Sequence, residues 1–456
     1  MEQFIKKLKN LITNQPDLIW FGFFIFLLPF NIGKFLGIAL PYSDQVFNHW
    51  TAVFLYVSDA ILLVAILLWL IRIFRGRFRV KMGSRWLMFG LLLFTVAILI
   101  SLFANPGWPA SLLGFGRWVE ILLIITYISL MVVTWRRRFA VILIWFIAIS
   151  IQAFIAVFQF LLQQSLGLKL LGESVLSVHL QNVAKIVVDG QIWLRAYGTQ
   201  VHPNVLGYFL VISLIFAGFL YARVRSVPWR IIISSLAGVQ IMALVMCFSR
   251  TAWLGLVLGL GVLVVLCLIW RVGRASAVGL DIRRILPLLI TMAVLVATVI
   301  AYKPMIQSRL VTGDSNGDLS LSFRQELNQL GWNRFSTQPL TGQGLRQFVP
   351  SLKDEPSICA EPWKFQPIHN AFLLILVETG IFGLLAWLLI IAAKFIILFG
   401  KLKNVPRGTF FYRNTDVLYV FTIISAFAAS VFLMTYDHYI FDVYQSAVLY
   451  GLILAL

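Results

Sequence analysis

The chain has 456 residues, of which 60% are apolar and only 12% charged, and its mean hydropathy is +0.91. A water-soluble domain carries roughly 25% charged residues, so a soluble enzyme of ordinary composition is excluded. The excess of 37 Lys and Arg over 18 Asp and Glu, a net +19, is read as membrane topology rather than as a nucleic-acid surface.

Apolar runs long enough to cross the hydrocarbon, about 20 residues each, recur along nearly the whole sequence. They fall at 18–40, 51–73, 86–104, 112–134, 139–163 and 204–222, then at 231–248, 251–270, 285–302, 369–399, 415–435 and 439–456. The expected fold is therefore all-α: a polytopic membrane protein of about 12 transmembrane helices. It forms a single integral membrane domain over 1–456, with a large extracytoplasmic loop at 303–368 between the ninth and tenth spans. Lys6, Lys7 and Lys9 precede a first run that lacks a small-residue cleavage site, so it is expected to remain as an anchor. With the N-terminus inside, alternate loops are basic: Arg72 to Arg85, Arg136 to Arg138, Arg223 to Arg230, Arg271 to Arg284 and Lys401 to Arg413. The hairpin between 231–248 and 251–270 is marked only by Ser249 and Arg250. The unusual polar residues Arg195, His202, Asn204, Arg250, Arg324, His369, Asn370, Asp437 and His438 gather on the outer side, which places a site at that face.

Two motifs are set aside. Asp314, Asn316 and Asp318 have the alternate spacing of a calcium loop, but Leu319 and Gln325 stand where its glycine and bidentate glutamate belong. Gly342-Gln343-Gly344 lacks the third glycine of a dinucleotide fingerprint and reads as a turn. No His/Cys set has zinc spacing, and neither metal nor cofactor is expected.

Four motifs remain. His369-Asn370 opens a long apolar helix, and an imidazole at the interface can act as a general base. The structural alternative has His369 belong to the interface and Asn370 cap the helix. Gly380 and Gly383 share a helix face and would let a neighbouring helix approach closely. Arg250, within FSRTAWLGL, sits between two apolar spans, where a permanent cation needs an anion, and its fork suits phosphate oxygens; otherwise it snorkels to headgroups. Arg195 lies in LRAYGTQVHPN with His202 and Asn204; Pro203 fits a first helical turn and Asn204 can satisfy backbone groups there. Arg324 falls among Phe323, Leu327, Leu330 and Gly331, whose spacing suggests an amphipathic helix lying on the membrane, with Arg324 reaching the same phosphate or simply solvated. Arg117 and Glu120 can pair within the fourth span, leaving Arg117 a secondary contact. Glu378 lies too deep, and on the wrong side of a straight helix, to orient His369. No role is assigned to Asp59, Asp437 or His438.

Together, His369-Asn370 with Gly380-x-x-Gly383, Arg250-x-x-x-Leu254, RAYGTQVHPN and PLTGQGLRQF resemble the O-antigen ligase and O-antigen polymerase superfamily of bacterial envelope glycosyltransferases. The resemblance covers roughly 190–390 and implies a metal-independent, inverting GT-C-type transferase in the cytoplasmic membrane with an extracytoplasmic active site. Its donor would be a glycan on undecaprenyl diphosphate and its acceptor a lipid or glycan hydroxyl. On this reading His369 is the base, Arg250 and Arg324 act on the leaving diphosphate, and Arg195, His202, Asn204, Asn370 and Arg117 bind substrate. A repeat-unit polymerase, a protein O-oligosaccharyltransferase and a flippase for lipid-linked glycans stay open as alternatives, the last expected to place its site at the midplane.

Overall fold

The computed structural model describes residues 13–38, 50, 52–75, 84–105, 108–180, 183–272, 282–311, 315–359, 364–403 and 415–456. Several basic loop residues behind the topology, including Lys6, Lys7, Lys9, Arg77, Arg79, Lys81, Arg274, Arg407 and Arg413, lie outside them, as does Asp314 of the rejected calcium pattern.

Helix α1 is Pro16–Leu27, followed by α2 Val57–Phe74, α3 Arg85–Ala104, α4 Trp108–Met131 and α5 Trp135–Leu162. Then come α6 Pro203–Arg223, α7 Val227–Met246, α8 Arg250–Val272, α9 Ile282–Ala301, α10 Lys303–Val311 and α11 Ser315–Thr337. The chain finishes with α12 Ala371–Lys403, α13 Thr415–Met434, α14 Tyr439–Asp442 and α15 Tyr444–Ala455. Among the described residues nine helices, α2 to α8, α12 and α13, are long and apolar enough to cross a membrane; α9 and α10, bent by 75°, make up to ten. The remaining two expected spans give short apolar helices, α1 and α15.

The first span departs from expectation for a local reason. Pro29 has no N–H to donate to the Ile25 carbonyl, so the helical bonds end with Leu28 N to Phe24 O at 2.9 Å and α1 stops at Leu27. The apolar residues beyond it form strand β1 Gly33–Ile38, paired antiparallel with β2 Ala52–Tyr56. Helix α2 then starts where Asp59 accepts the Tyr56 N–H at 2.9 Å in a capping box. A second hairpin, β3 Lys185–Val188 with β4 Gln191–Leu194, precedes α6.

Helix α6 is the centre of the bundle: it packs on α5, α7, α8 and α13, and 83% of its apolar window is buried against 17% for α8. A helix buried on all sides must be apolar all round, as α6 is between Val205 and Leu220. The α7–α8 hairpin is as tight as the sequence implied, with Phe248 in the turn at φ 45.

Two expectations about the 303–368 segment and its partner helix are corrected. The apolar side of α11 does not lie free for a membrane: Phe323 and Leu327 are buried with Phe348, Leu352, Ile368, Leu374 and Val377, and α11 packs on α12. Gly380 does not serve a neighbouring helix. It breaks α12 with φ 69 and ψ −173, and the turn 339–344 enters the break. Ile381 N donates to Pro339 O at 2.9 Å, Gln343 N to Val377 O at 2.9 Å and Gly344 N to Glu378 O at 3.1 Å. Gly342 and Gly344 both have positive φ, so the GQG sequence is the turn it was read to be. The motifs PLTGQG and ETGIFG are two halves of one contact.

A Cβ on Gly380 would lie 2.1 Å from the Leu340 carbonyl oxygen, in a left-handed backbone region. Gly380→Ala is expected to destabilise by more than about 2 kcal/mol, read as a lower Tm in detergent. Gly400→Ala, with open space around it in the same helix, should be neutral or raise Tm.

Candidate active site

The turn between α13 and α14 buries Asp437, which is 3% exposed. A carboxylate withdrawn from water needs partners, and Asp437 has them on both oxygens. Oδ2 accepts from Asn204 Nδ2 at 2.9 Å, and Oδ1 accepts from the His438 N–H at 3.0 Å. Asn204 in turn accepts from Arg195 Nη2 at 2.8 Å, and Arg195 Nε donates to the Cys247 carbonyl at 2.7 Å. This chain of bonds ties the start of α6, the end of α7 and the α13–α14 turn together. Capping of α6 falls to His202, whose Nδ1 accepts from the Asn204 N–H at 3.1 Å with Pro203 in the first turn. Asn204, expected to satisfy backbone groups, spends its amide on Asp437 and Arg195 instead. Asn370 Oδ1 accepts from the Leu373 N–H at 3.0 Å, the cap that the structural alternative required.

His369, half-buried at the start of α12, meets His438 at right angles with ring centroids 5.2 Å apart. His438 is buried and its Nδ1 lies 2.8 and 2.9 Å from the two oxygens of Asp442, one helical turn on. Its Nε2 is 3.6 Å from Asp437 Oδ1, and the Trp50 ring packs edge-on at 4.8 Å. Burial, partly offset by Asp437 and reinforced by Arg324 and His438, pushes the His369 imidazole down to about 3, so it is neutral at neutral pH. Burial and the Arg195 charge hold His202 at about 3 as well. Burial also works against the charged form of His438, but Asp442 and Asp437 outweigh it and raise His438. For Asp437 burial acts upward and is outweighed by His438, His369, Arg324 and His202, which hold the carboxyl at about 2.

The arginines collect around the α7–α8 turn. Arg195 binds the Cys247 carbonyl, and Arg309 Nε binds the next one, Phe248 O, at 3.2 Å. Arg250 is the first residue of α8 on the same turn. Burial, with the charges of Arg309 and Arg324 nearby, lowers Arg195 to about 10. Among the described residues Arg250 and Arg324 make no hydrogen bond or ion pair, and the Arg324 charge acts on Asp437 and both imidazoles from a distance.

Arg117 stands apart from this group. It pairs with Glu120 at 2.7 Å as the spacing implied, and also with Asp59 at 2.9 Å and the Phe54 carbonyl at 2.8 Å. Tyr444 donates to Glu120 at 2.7 Å and stacks under the guanidinium at 4.2 Å. These groups line an apolar cavity of about 440 Å³ that Asp442 and Trp50 also border. Glu378 accepts from the Phe348 N–H at 3.3 Å and holds the 342–348 turn rather than His369.

Sequence reasoning missed Asp442 and Arg309. The signal for Asp442 was present, since His and Asp four residues apart on a helical turn face each other; Arg309 was one basic residue among several in a long loop. Among the described residues, donor atoms of His369, Asp437 and His438 lie within 4.8 Å of one another. Asp442 already holds one nitrogen of His438, and Asn204 and a backbone N–H occupy the Asp437 oxygens. The cluster brings two imidazoles and a buried carboxylate together with guanidinium charge beside them.

Asn204→Ala would leave Arg195 and Asp437 each short of a buried partner. The expected cost is about 2 to 3 kcal/mol, measured as a fall in Tm against Asn370→Ala, which loses only a cap worth about 1 kcal/mol.

The family model described as O-antigen ligase matches residues 235–388. Those residues run from α7 to the first half of α12 and carry Arg250, Arg309, Arg324 and His369, whereas Arg195, Asn204, Asp437, His438 and Asp442 lie outside them. A search of curated proteins finds no significant match. The apolar helices and this match together identify an integral membrane protein. The match over residues 235–388 bears out the resemblance of the sequence to the O-antigen ligase and O-antigen polymerase superfamily.

Proposed function

We propose that the protein transfers a glycan from undecaprenyl diphosphate to a hydroxyl acceptor, as an inverting, metal-independent glycosyltransferase of the ligase type. The observation that carries this reading is a pair of half-buried arginines, Arg250 and Arg324, that make no hydrogen bond or ion pair among the described residues, at the end of the bundle where His369 and His438 meet. Half-buried guanidinium groups with free donors at the edge of a membrane-spanning bundle favour an anion, and planar guanidinium forks match diphosphate oxygens.

In the proposed step neutral His369 takes the proton of the acceptor hydroxyl. The oxygen attacks the anomeric carbon, the bond from that carbon to the diphosphate oxygen breaks, and the lipid diphosphate leaves with the electron pair. Negative charge grows on the leaving group, so Arg250 and Arg324, with Arg195 behind them, hold it more tightly in the transition state than in the ground state. Asn370, Asn204 and His202 position the helix ends that carry these groups, and Arg117 sits on the wall of the adjoining cavity. A repeat-unit polymerase or a protein O-oligosaccharyltransferase would use the same step, and the acceptor alone separates them. The N-terminus is assigned to the cytoplasm and the site to the outer face of a bacterial cytoplasmic membrane.

In proteoliposomes supplied with undecaprenyl-diphosphate glycan and candidate acceptors, transfer is expected to persist in a chelator. It should vanish in His369→Ala with donor binding retained. Arg250→Ala should lose about 2 to 4 kcal/mol of transition-state stabilisation and bind donor more weakly. Near-normal transfer by His369→Ala would remove the base assignment. Labelled glycan lipid crossing the bilayer without acceptor modification would replace transfer by transport.

A further inference from the structure

The proposed transfer leaves a proton on His369, and nothing in that step uses Asp437, His438 or Asp442. Their geometry is that of a proton acceptor. Asp442 holds Nδ1 of His438 at 2.8 Å, which fixes the ring and its tautomer and leaves Nε2 directed to the side where Asp437 lies, 3.6 Å away. A carboxylate on one ring nitrogen with the other nitrogen free is the arrangement that makes an imidazole an oriented base and stabilises its protonated form. His369 has no carboxylate at hydrogen-bond distance, and its Nδ1 is buried without a hydrogen-bond partner among the described residues. Nitrogen atoms of the two rings come within 4.8 Å of each other and of an Asp437 oxygen, a gap that one water spans.

We propose that His438, oriented by Asp442, is the relay residue of the site: the proton taken by His369 from the acceptor passes to Nε2 of His438. The N–H bond on His369 breaks, an N–H bond on His438 forms, and His369 returns to the neutral form needed for the next turnover. Asp437, close to both rings, balances the positive charge in either position. The proposal rests on the glycosyl-transfer reading.

The charged and titratable groups facing His438 are Asp442 on α14, Asp437 on its own turn, His369 before α12, Arg324 on α11 and His202 before α6. The two carboxylates favour its protonated form and Arg324 opposes it; the balance lies above the ordinary imidazole value. His438 must be unprotonated to receive the proton, so kcat should rise with pH through the raised value.

The test is the pH profile of kcat and of the donor KM in proteoliposomes, for wild type, Asp442→Asn, His438→Gln and His369→Ala. Asp442→Asn removes the larger carboxylate effect and should move the ascending limb of kcat to lower pH by at least about one unit, with the donor KM unchanged. His438→Gln should abolish that limb and lower kcat by about 100-fold, again without a change in donor KM. A limb that stays in place in Asp442→Asn, or a kcat that falls equally at every pH, would assign the pair a purely structural role and overturn the proposal. Full activity of His438→Gln would do the same. If instead wild type transfers no glycan, the transfer reading itself falls and takes this proposal with it.

Discussion

A single buried carboxylate holds the candidate site together. Asp437 is almost wholly enclosed, and the desolvation of an ionised carboxylate is tolerable only with hydrogen bonds and positive charge around it. Those requirements explain the convergence seen at this end of the bundle. Asn204 on α6 donates to one oxygen and hands its own carbonyl to Arg195, which in turn grips the α7–α8 turn. The other oxygen takes the His438 N–H, and His438 faces His369 at the start of α12. Four elements distant in sequence are thus drawn to one point by the needs of one charge.

Around that point the charges divide into two sides. Arg195, Arg309 and Arg250 surround the α7–α8 turn, with Arg324 approaching on α11. On the far side of Asp442 lies a cavity lined by two cations, Arg117, which is paired with Asp59 and Glu120, and Arg346, which faces Glu378 and Asp442. The imidazoles stand between a cationic region suited to a diphosphate and a largely apolar cavity whose charged groups balance one another. That asymmetry fits an anionic donor and a chemically different acceptor meeting at the histidines. The kink at Gly380 belongs to the same design, because it admits the 339–344 turn and so fixes the loop that follows α11 against α12.

Much of this was legible in the sequence, and the reasons differ by feature. Long apolar runs dictate helices in a membrane because backbone groups must be satisfied internally, so α2 to α9, α12 and α13 fell near their expected places. The first run misled because hydropathy is blind to Pro29: the residues beyond it continue an apolar run, yet 33–38 pair with 52–56 as antiparallel strands. Gly380 was recognisable as a close-approach glycine, but a sequence cannot say whether a helix or a turn makes the approach. His369, Arg250, Arg324 and Arg195 were marked by the cost of polar groups beside apolar runs. Asp437 and His438 carry no assigned role in the sequence, since Asn204, the partner of Asp437, is brought to it only when the bundle closes, whereas Asp442, four residues after His438, is readable locally. Arg309 carried no local signal that set it apart from other loop arginines.

The central claim is that the guanidinium groups around the α7–α8 turn receive a lipid-linked diphosphate next to His369. The most direct measurement is an electron cryomicroscopy structure of the protein in a lipid nanodisc with undecaprenyl diphosphate bound. The account predicts diphosphate oxygens within hydrogen-bond distance of Arg250 and Arg324, with the free oxygen that would carry the sugar turned towards the two imidazoles. A diphosphate seated instead beside Arg117 in the apolar cavity, with Arg250 and Arg324 still unpartnered, would contradict it.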